Sequence, residues 1–307
     1  MINQIRAAMF GHAIGDALGV PVEFMNREKL RADPVTDYRG YGAHHVPAGT
    51  WSDDTSMALA SMDSLAHGVD YEDMMRRFCN WKTEAAYTAT DEVFDMGIAT
   101  NRALSRFLRG TPALLCGGSD ENDNGNGSLM RIIPAILYCK YRLADAPVEE
   151  QIQLVHNVSR LTHAHPRSMI GCGINYFIMM ELLERQSKLA VEAGLHKARA
   201  FYQEQPEFSH YRRLMEPSFA DLPESQIHSS GYVVATLEAA VWCLLNTNSY
   251  KECVQKAANL GSDTDTVAAV AGGLAGVLYG LEGIPEPWYQ GLIRHEMIEQ
   301  LCSDFCS

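Results

Sequence analysis

At 307 residues, 47% of them apolar, the chain could form one large domain or two, and no apolar run reaches the ~18 residues a membrane-spanning helix needs. Its 38 acidic against 25 basic residues leave a net charge of −13, which argues against broad nucleic-acid binding and against docking on an anionic membrane. The same acidity suits a partner carrying Arg or Lys, and suits plain solubility equally well.

The eight cysteines contain no CxxC pair, and the opening Met-Ile-Asn-Gln-Ile-Arg has no secretory pattern, so a reduced, cytoplasmic protein is expected. Apolar residues recur at helical rather than strand spacing through most of the chain, and the expected fold class is all-α. Ile2, Ile5, Met9 and Ala13 mark the first helix. Arg31 to Trp51 holds Pro34, Pro47, Gly40, Gly42 and Gly49 and reads as an irregular loop. It leads into Ser52-Asp53-Asp54-Thr55, just ahead of the helical run Met57 to Ala60. Further helices are expected over about Tyr71 to Ala85 and about Phe94 to Leu108.

Cys116 to Ser128 is rich in Gly, Asn and Asp. Asp120, Asn122, Asn124 and Gly125 match the start of a calcium-binding EF-hand loop, but the closing position, where a bidentate Glu belongs, is Arg131. A cation in place of the anchoring anion rejects that motif. Gly125-Asn126-Gly127-Ser128 by itself reads as a turn before a helix beginning at Leu129; exposed amides at a helix start would also suit a phosphate. Thr162-His163-Ala164-His165-Pro166 spaces its histidines two apart, whereas a shared metal on one helix wants three or four. A hydrogen bond to a substrate hydroxyl is as good a role, and His165 could be purely structural.

Met169 to Leu183 reads as a long buried helix, Glu204 to Ser230 with its three prolines as a surface excursion, and Val233 to Leu245 as another helix. Ser262-Asp263-Thr264-Asp265-Thr266 then precedes the apolar run Val267 to Tyr279, whose Gly272, Gly273 and Gly276 would allow close helix packing. Trp288 to Leu301 is expected to close the chain as a helix. No segment looks like a linker between two self-sufficient cores, so residues 1–307 are expected to form one domain.

The two acidic clusters are the main chemical signal. Ser, Thr and Asp cap helices and acids suit a first turn, which could explain either cluster alone. Capping uses one side chain, however, and the second cluster has three hydroxyl or carboxylate residues beyond its first Asp. Carboxylates and hydroxyls at this density are hard-oxygen ligands of the kind Mg²⁺ and Mn²⁺ prefer, and two clusters face to face could hold a pair of ions.

Five segments occur in a characteristic order: Gly15-Asp-Ala-Leu-Gly-Val-Pro-Val-Glu23, Trp51-Ser-Asp-Asp-Thr55, Gly125-Asn-Gly-Ser-Leu-Met-Arg131, Ser159-Arg-Leu-Thr-His163 and Gly261-Ser-Asp-Thr-Asp-Thr266. In them the sequence resembles the ADP-ribosylglycohydrolases, nearest to the bacterial type that reactivates dinitrogenase reductase, over about Ala8 to Tyr279. The resemblance implies a single compact, orthogonal all-α domain with two divalent cations, Mg²⁺ or Mn²⁺, at the mouth of an ADP-ribose cleft. By motif position it implies Ser52, Asp53, Asp54, Asp263, Asp265 and Thr266 as metal ligands, with Glu23 beside them. It implies Gly125, Asn126, Gly127 and Ser128 at the pyrophosphate, His163 near a ribose, and Tyr232 on the adenosine side. Asp95 matches a carboxylate facing the scissile linkage, so Glu23, Asp95 and Asp54 are the implied catalytic acids. Ser52 stands where Thr is commoner and Ser262 where Gly often stands, and neither change removes a ligand.

The implied activity is hydrolysis of the glycosidic bond at C1″ of ADP-ribose on a modified target, an arginine-linked protein above all, or a small molecule. Either Glu23 or Asp95 would handle the proton. The rival readings are a binuclear-metal phosphohydrolase of nucleotide diphosphates and a non-catalytic ADP-ribose-binding or structural protein. Some relatives have become lens proteins without enzymatic role; the intact carboxylate set counts against that fate.

Overall fold

The computed structural model describes residues 1–307, and its regular structure is helical with no β-strand. The first seven α-helices are α1 (Ile2–Gly19), α2 (Arg27–Ala32), α3 (Asp53–Ala66), α4 (Tyr71–Glu84), α5 (Ile98–Leu108), α6 (Ile133–Arg142) and α7 (Val148–Arg160). They are followed by α8 (Pro166–Glu184), α9 (Leu189–Tyr202), α10 (Val233–Leu245), α11 (Tyr250–Ala258), α12 (Thr264–Tyr279), α13 (Glu286–Gly291) and α14 (His295–Cys306).

Helices α1 and α12 are the central pair. Both are apolar on nearly every side, as helices enclosed by others must be, and in α12 every residue but Tyr279 is buried. Small residues set how closely they approach. A Cβ on Gly15 would run into the carbonyl of Ala268, and one on Gly276 into that of Ala7. Gly272 likewise meets Gly11, while Gly273 faces the side chain of Ile133. The expected close packing of this glycine run is therefore real, and its partner is the N-terminal helix. Around the pair, α3 packs on α4, α6 and α14, and α8 packs on α7, α9 and α10. One contiguous core of 88 buried residues runs from Ile5 to Phe305. No helix is long and apolar enough to cross a membrane.

Three elements depart from the sequence expectation. The helix expected from Phe94 starts only at Ile98, because Asp95 sits at φ 57°, a left-handed conformation no helix can contain. The closing segment is split into α13 and α14 at Arg294, φ 53°. Leu129 opens a single 3₁₀ turn, Leu129–Arg131, and the α-helix begins at Ile133 with Pro134 in its first turn. The stretch from Glu204 to Ser230, expected as a surface excursion, holds a string of 3₁₀ turns that bury Phe208, Tyr211, Leu214, Phe219 and Ile227.

Candidate active site

Tight packing of α1 on α12 brings the starts of α3 and α12 together. Asp53 and Asp54 lie in the first turn of α3, Asp265 in the first turn of α12 with Thr266 next to it, and Ser52 and Asp263 are the two N-caps. Acids here gain from the positive end of each helix dipole. The hydroxyl of Thr266 donates to Asp54 Oδ1 at 3.3 Å, joining the two clusters directly. Beneath them Asp16 of α1 accepts from the Ser52 amide at 3.0 Å, the Thr55 amide at 3.0 Å and the Thr55 hydroxyl at 2.6 Å. Asp16 thus clamps the start of α3 in place. Its role was not drawn from the sequence, although a lone acid inside an otherwise apolar helix was a signal for it.

These residues face a cleft of about 320 Å³. Glu23, Asp53, Asp54, Asp95, Asp263 and Thr266 line it together with Gly125, Asn126, Gly127 and His163. Ligand oxygens of Glu23, Asp263 and Asp265 all lie within 4.8 Å of one another, and so do those of Glu23 and Asp95 with a ring nitrogen of His44. His44 Nε2 bonds Glu23 directly, and its ring lies 4.9 Å from that of Phe94. His44 sits in the Gly/Pro-rich loop and belongs to no motif, so the sequence carries no signal for it.

Burial and mutual repulsion dominate the electrostatics. Burial, reinforced by Asp263, lifts Glu23 to about 8; burial, reinforced by Glu23, lifts Asp95 to about 7. Asp16 rises to about 6 through burial, against the hydrogen bonds it accepts. Burial first and then neighbouring carboxylates push Asp53, Asp54 and Asp265 well above the usual range. Asp54 Oδ2 and Asp265 Oδ2 are buried with no hydrogen-bond partner. Buried carboxylates that repel one another and leave oxygens bare form a donor set fitted to a hard cation, which would satisfy both deficits. Ser52 Oγ accepts from the Asp54 amide at 3.2 Å, so it caps the helix; a hydroxyl oxygen has a second lone pair free for a metal.

Next to the carboxylates, the 125–128 loop is tied to the segment before α10. The Asn126 amide donates to Gly231 O at 2.9 Å, and Gly125 pairs with Tyr232 in an isolated backbone bridge. The Asn126 side chain donates to Asp263 Oδ2 at 2.8 Å and to Thr236 Oγ1 at 2.9 Å, so it braces a carboxylate. The amides of Gly125, Gly127 and Ser128 donate to no protein acceptor. A Cβ on Gly127 would strike the His163 ring, which explains the glycine. Ser128 is fully buried, and its hydroxyl accepts from Ser159 at 2.9 Å and faces Cys172. Its side chain therefore belongs to the core, and only its amide is left for the cleft.

Tyr232 lines an adjoining crevice with Glu121, Asn122 and Gly125, and the Arg167 guanidinium lies 5.9 Å from its ring centre. His165 Nδ1 accepts from the Arg167 amide at 3.2 Å and caps α8, the structural use open to it in the sequence. A wider hollow of about 1170 Å³ borders the cleft across Phe24 and Tyr232. Its Arg27 and Arg213 are already bonded, to the carbonyls of Leu260, Glu224 and Ile227 and to Glu238 respectively.

A family model described as ADP-ribosylglycohydrolase matches residues 1–307. ADP-ribosylarginine hydrolase Tri1 of Serratia proteamaculans is 32% identical over 303 residues, spanning 98% of this chain and 78% of that protein. The ADP-ribosyl-(dinitrogen reductase) glycohydrolase of Rhodospirillum rubrum is 30% identical over 306 residues, spanning 94% of this chain and 90% of that protein. A solved structure titled ADP-ribosylglycohydrolase-related protein complex superposes with a TM-score of 0.83 at 32% identity, covering 99% of this chain and 97% of that one.

Proposed function

The chain belongs to the ADP-ribosylglycohydrolase family, and from that membership we propose that it frees ADP-ribose from modified arginine side chains by hydrolysing the bond at C1″. The observation that carries this reading is the meeting of Asp53 and Asp54 with Asp263, Asp265 and Thr266 beside Glu23 and Asp95 in one cleft. The arginine linkage follows the relatives named ADP-ribosylarginine hydrolase. An acidic cleft also suits a guanidinium leaving group.

Ser52, Asp53, Asp54, Asp263, Asp265 and Thr266 would hold two divalent cations, Mg²⁺ or Mn²⁺. Such ions supply positive charge that orders the hydroxyls of the distal ribose and raises the acidity of a nearby water.

The chain's own groups do the rest. Cleavage passes through an oxocarbenium-like transition state, so a carboxylate must lie near C1″ and a proton must be handled at the leaving nitrogen and the attacking water. Burial and the neighbouring carboxylates raise both Glu23 and Asp95 above the usual carboxylate range, and the two acids lie side by side, so this pair is the place for the proton that the reaction must move. His44, bonded to Glu23, fixes where that carboxylate points. The Gly127 and Ser128 amides would bind the pyrophosphate, His163 a ribose oxygen and Tyr232 the adenosine side.

The test is product identity. The protein, with Mg²⁺ or Mn²⁺, is incubated with defined arginine- and serine-linked ADP-ribosyl peptides and the products are resolved by mass spectrometry. Intact ADP-ribose from the arginine peptide is expected. AMP with a peptide still carrying ribose phosphate would make the protein a phosphohydrolase, and binding without turnover would make it a non-catalytic member.

A further inference from the structure

Arg131, the residue that rules out a calcium loop, has no part in the chemistry above, yet it is fully buried a few residues from the cleft. No carboxylate pairs with it. One nitrogen, Nη2, donates to Val158 O at 3.1 Å and to Thr162 Oγ1 at 2.7 Å. Its guanidinium carbon sits 4.7 Å over the centre of the Phe78 ring, and Nε and Nη1 have no partner. A buried, unpaired cation is costly, so its placement calls for a reason.

We propose that Arg131 and Thr162 are positioning residues that lock His163 into one tautomer, its proton on Nε2 and directed into the cleft, where it donates to an oxygen of bound ADP-ribose.

The argument is a count of protons. A guanidinium can only donate, so Thr162 Oγ1 is the acceptor in its contact with Arg131. The threonine hydroxyl has a single proton, and His163 Nδ1 lies 2.8 Å from that oxygen. If Nδ1 carried the ring proton, the hydroxyl would accept twice and its own proton would be buried with no acceptor. Nδ1 is therefore the acceptor, and a neutral ring must then carry its proton on Nε2. Nε2 lies on the side of Gly125 and Gly127, in the wall of the cleft. Burial, helped by the Arg131 charge, lowers His163 to about 3, which keeps the ring neutral at working pH. The relay gives the ligand one fixed donor where a free imidazole would present a donor or an acceptor. The identity of the acceptor as ADP-ribose rests on the function proposed above; the tautomer does not.

Protein labelled with ¹⁵N-histidine is examined by long-range ¹H–¹⁵N NMR near pH 7, with His163→Gln used to assign the resonance. The expected spectrum has His163 Nδ1 unprotonated and Nε2 protonated. The reverse pattern in the wild type overturns the proposal, whatever any variant does. Thr162→Val should give a mixture of tautomers and weaken ADP-ribose binding about three- to tenfold by calorimetry, the size of one net hydrogen bond. Thr162→Ser should restore both. A folded Thr162→Val protein with a single Nε2–H tautomer and unchanged affinity also overturns it. Wild-type protein that fails to bind ADP-ribose would overturn the proposed function and the donor role with it, while the tautomer stands or falls by NMR alone.

Discussion

Thr266 Oγ1 donates to Asp54 Oδ1 across 212 positions of sequence, the one hydrogen bond that links the two acidic clusters side chain to side chain. Around it, Asp54 Oδ2 and Asp265 Oδ2 point into buried space with nothing to accept from. If those oxygens are cation ligands, Asp54→Ala and Asp265→Ala should each cut ADP-ribose release by more than about 100-fold, a loss at or beyond that seen for supporting groups of metal sites. Full activity in both variants would end the two-cation scheme. In chelator the same variants should melt higher than the wild type, because each removes a buried, repelled carboxylate.

Glu23 and Asp95 should separate binding from chemistry. An amide keeps the size and polarity of the acid but cannot exchange its proton, so Glu23→Gln or Asp95→Asn should slow turnover by roughly 10²–10⁴. ADP-ribose affinity should stay near that of the wild type. Near-normal turnover in both variants would show that neither acid is the proton carrier.

Chelation offers a second separation. If the clustered carboxylates hold ions that touch the distal ribose, calorimetry in chelator should show weakened ADP-ribose binding and little change for ADP. Equal losses for the two ligands would place the ions at the phosphates or in folding.

Stability of the metal-free protein should fall as pH rises. Asp16, Asp95 and Glu23 titrate at about 6, 7 and 8 when folded, against 3.8, 3.8 and 4.5 ordinarily. Between those limits these three acids hold more protons folded than unfolded, so the stability they contribute, full below about pH 4, is lost progressively up to about pH 8; buried His12, His156 and His163, lowered to about 4, 4 and 3, oppose this only below about pH 6.5. A cation competes with those protons and should raise Tm more at about pH 8.5 than at about pH 5.5. Melting curves in chelator and in Mg²⁺ at the two pH values check this; a chelated Tm that does not change with pH contradicts it.

The seam between α1 and α12 gives a packing prediction. A methyl on Gly15 has only the Ala268 carbonyl to enter, so Gly15→Ala should destabilise by roughly 1–3 kcal/mol or more, read from urea midpoints. Because Asp16 is the next residue, the same displacement should lower activity.

What the sequence made legible was local. Helical periodicity marked α1, α4, α8, α10 and α12 closely, since buried helices repeat their apolar residues strongly. The acids of both clusters could be singled out because dense oxygen ligands before an apolar run are unusual. Helices α7, α9 and α11 were not drawn, although Ile152, Val155 and Val158 fall three apart in α7. Asp95 was read as a helix-start acid, whereas it lies three residues before α5 at positive φ, a conformation that tertiary contacts impose and no propensity announces. Asp16 and His44 became visible only through what they touch. The inward turn of the Ser128 hydroxyl is likewise set by the fold, and nothing in the loop motif announces it.

The direct contact of α1 with α12 also fixes when the site can exist. The first cluster leaves the ribosome far ahead of the second, and at about 5–20 residues per second the 212 positions from Asp54 on to Thr266 take roughly 10–40 s to make. For that interval Gly11 and Gly15 of α1 have no α12 to seat against, and the apolar flank of an almost wholly buried helix stays uncovered. A nascent chain stalled before Thr264 would therefore present aggregation-prone surface and no catalytic capacity, so competence arrives late and all at once.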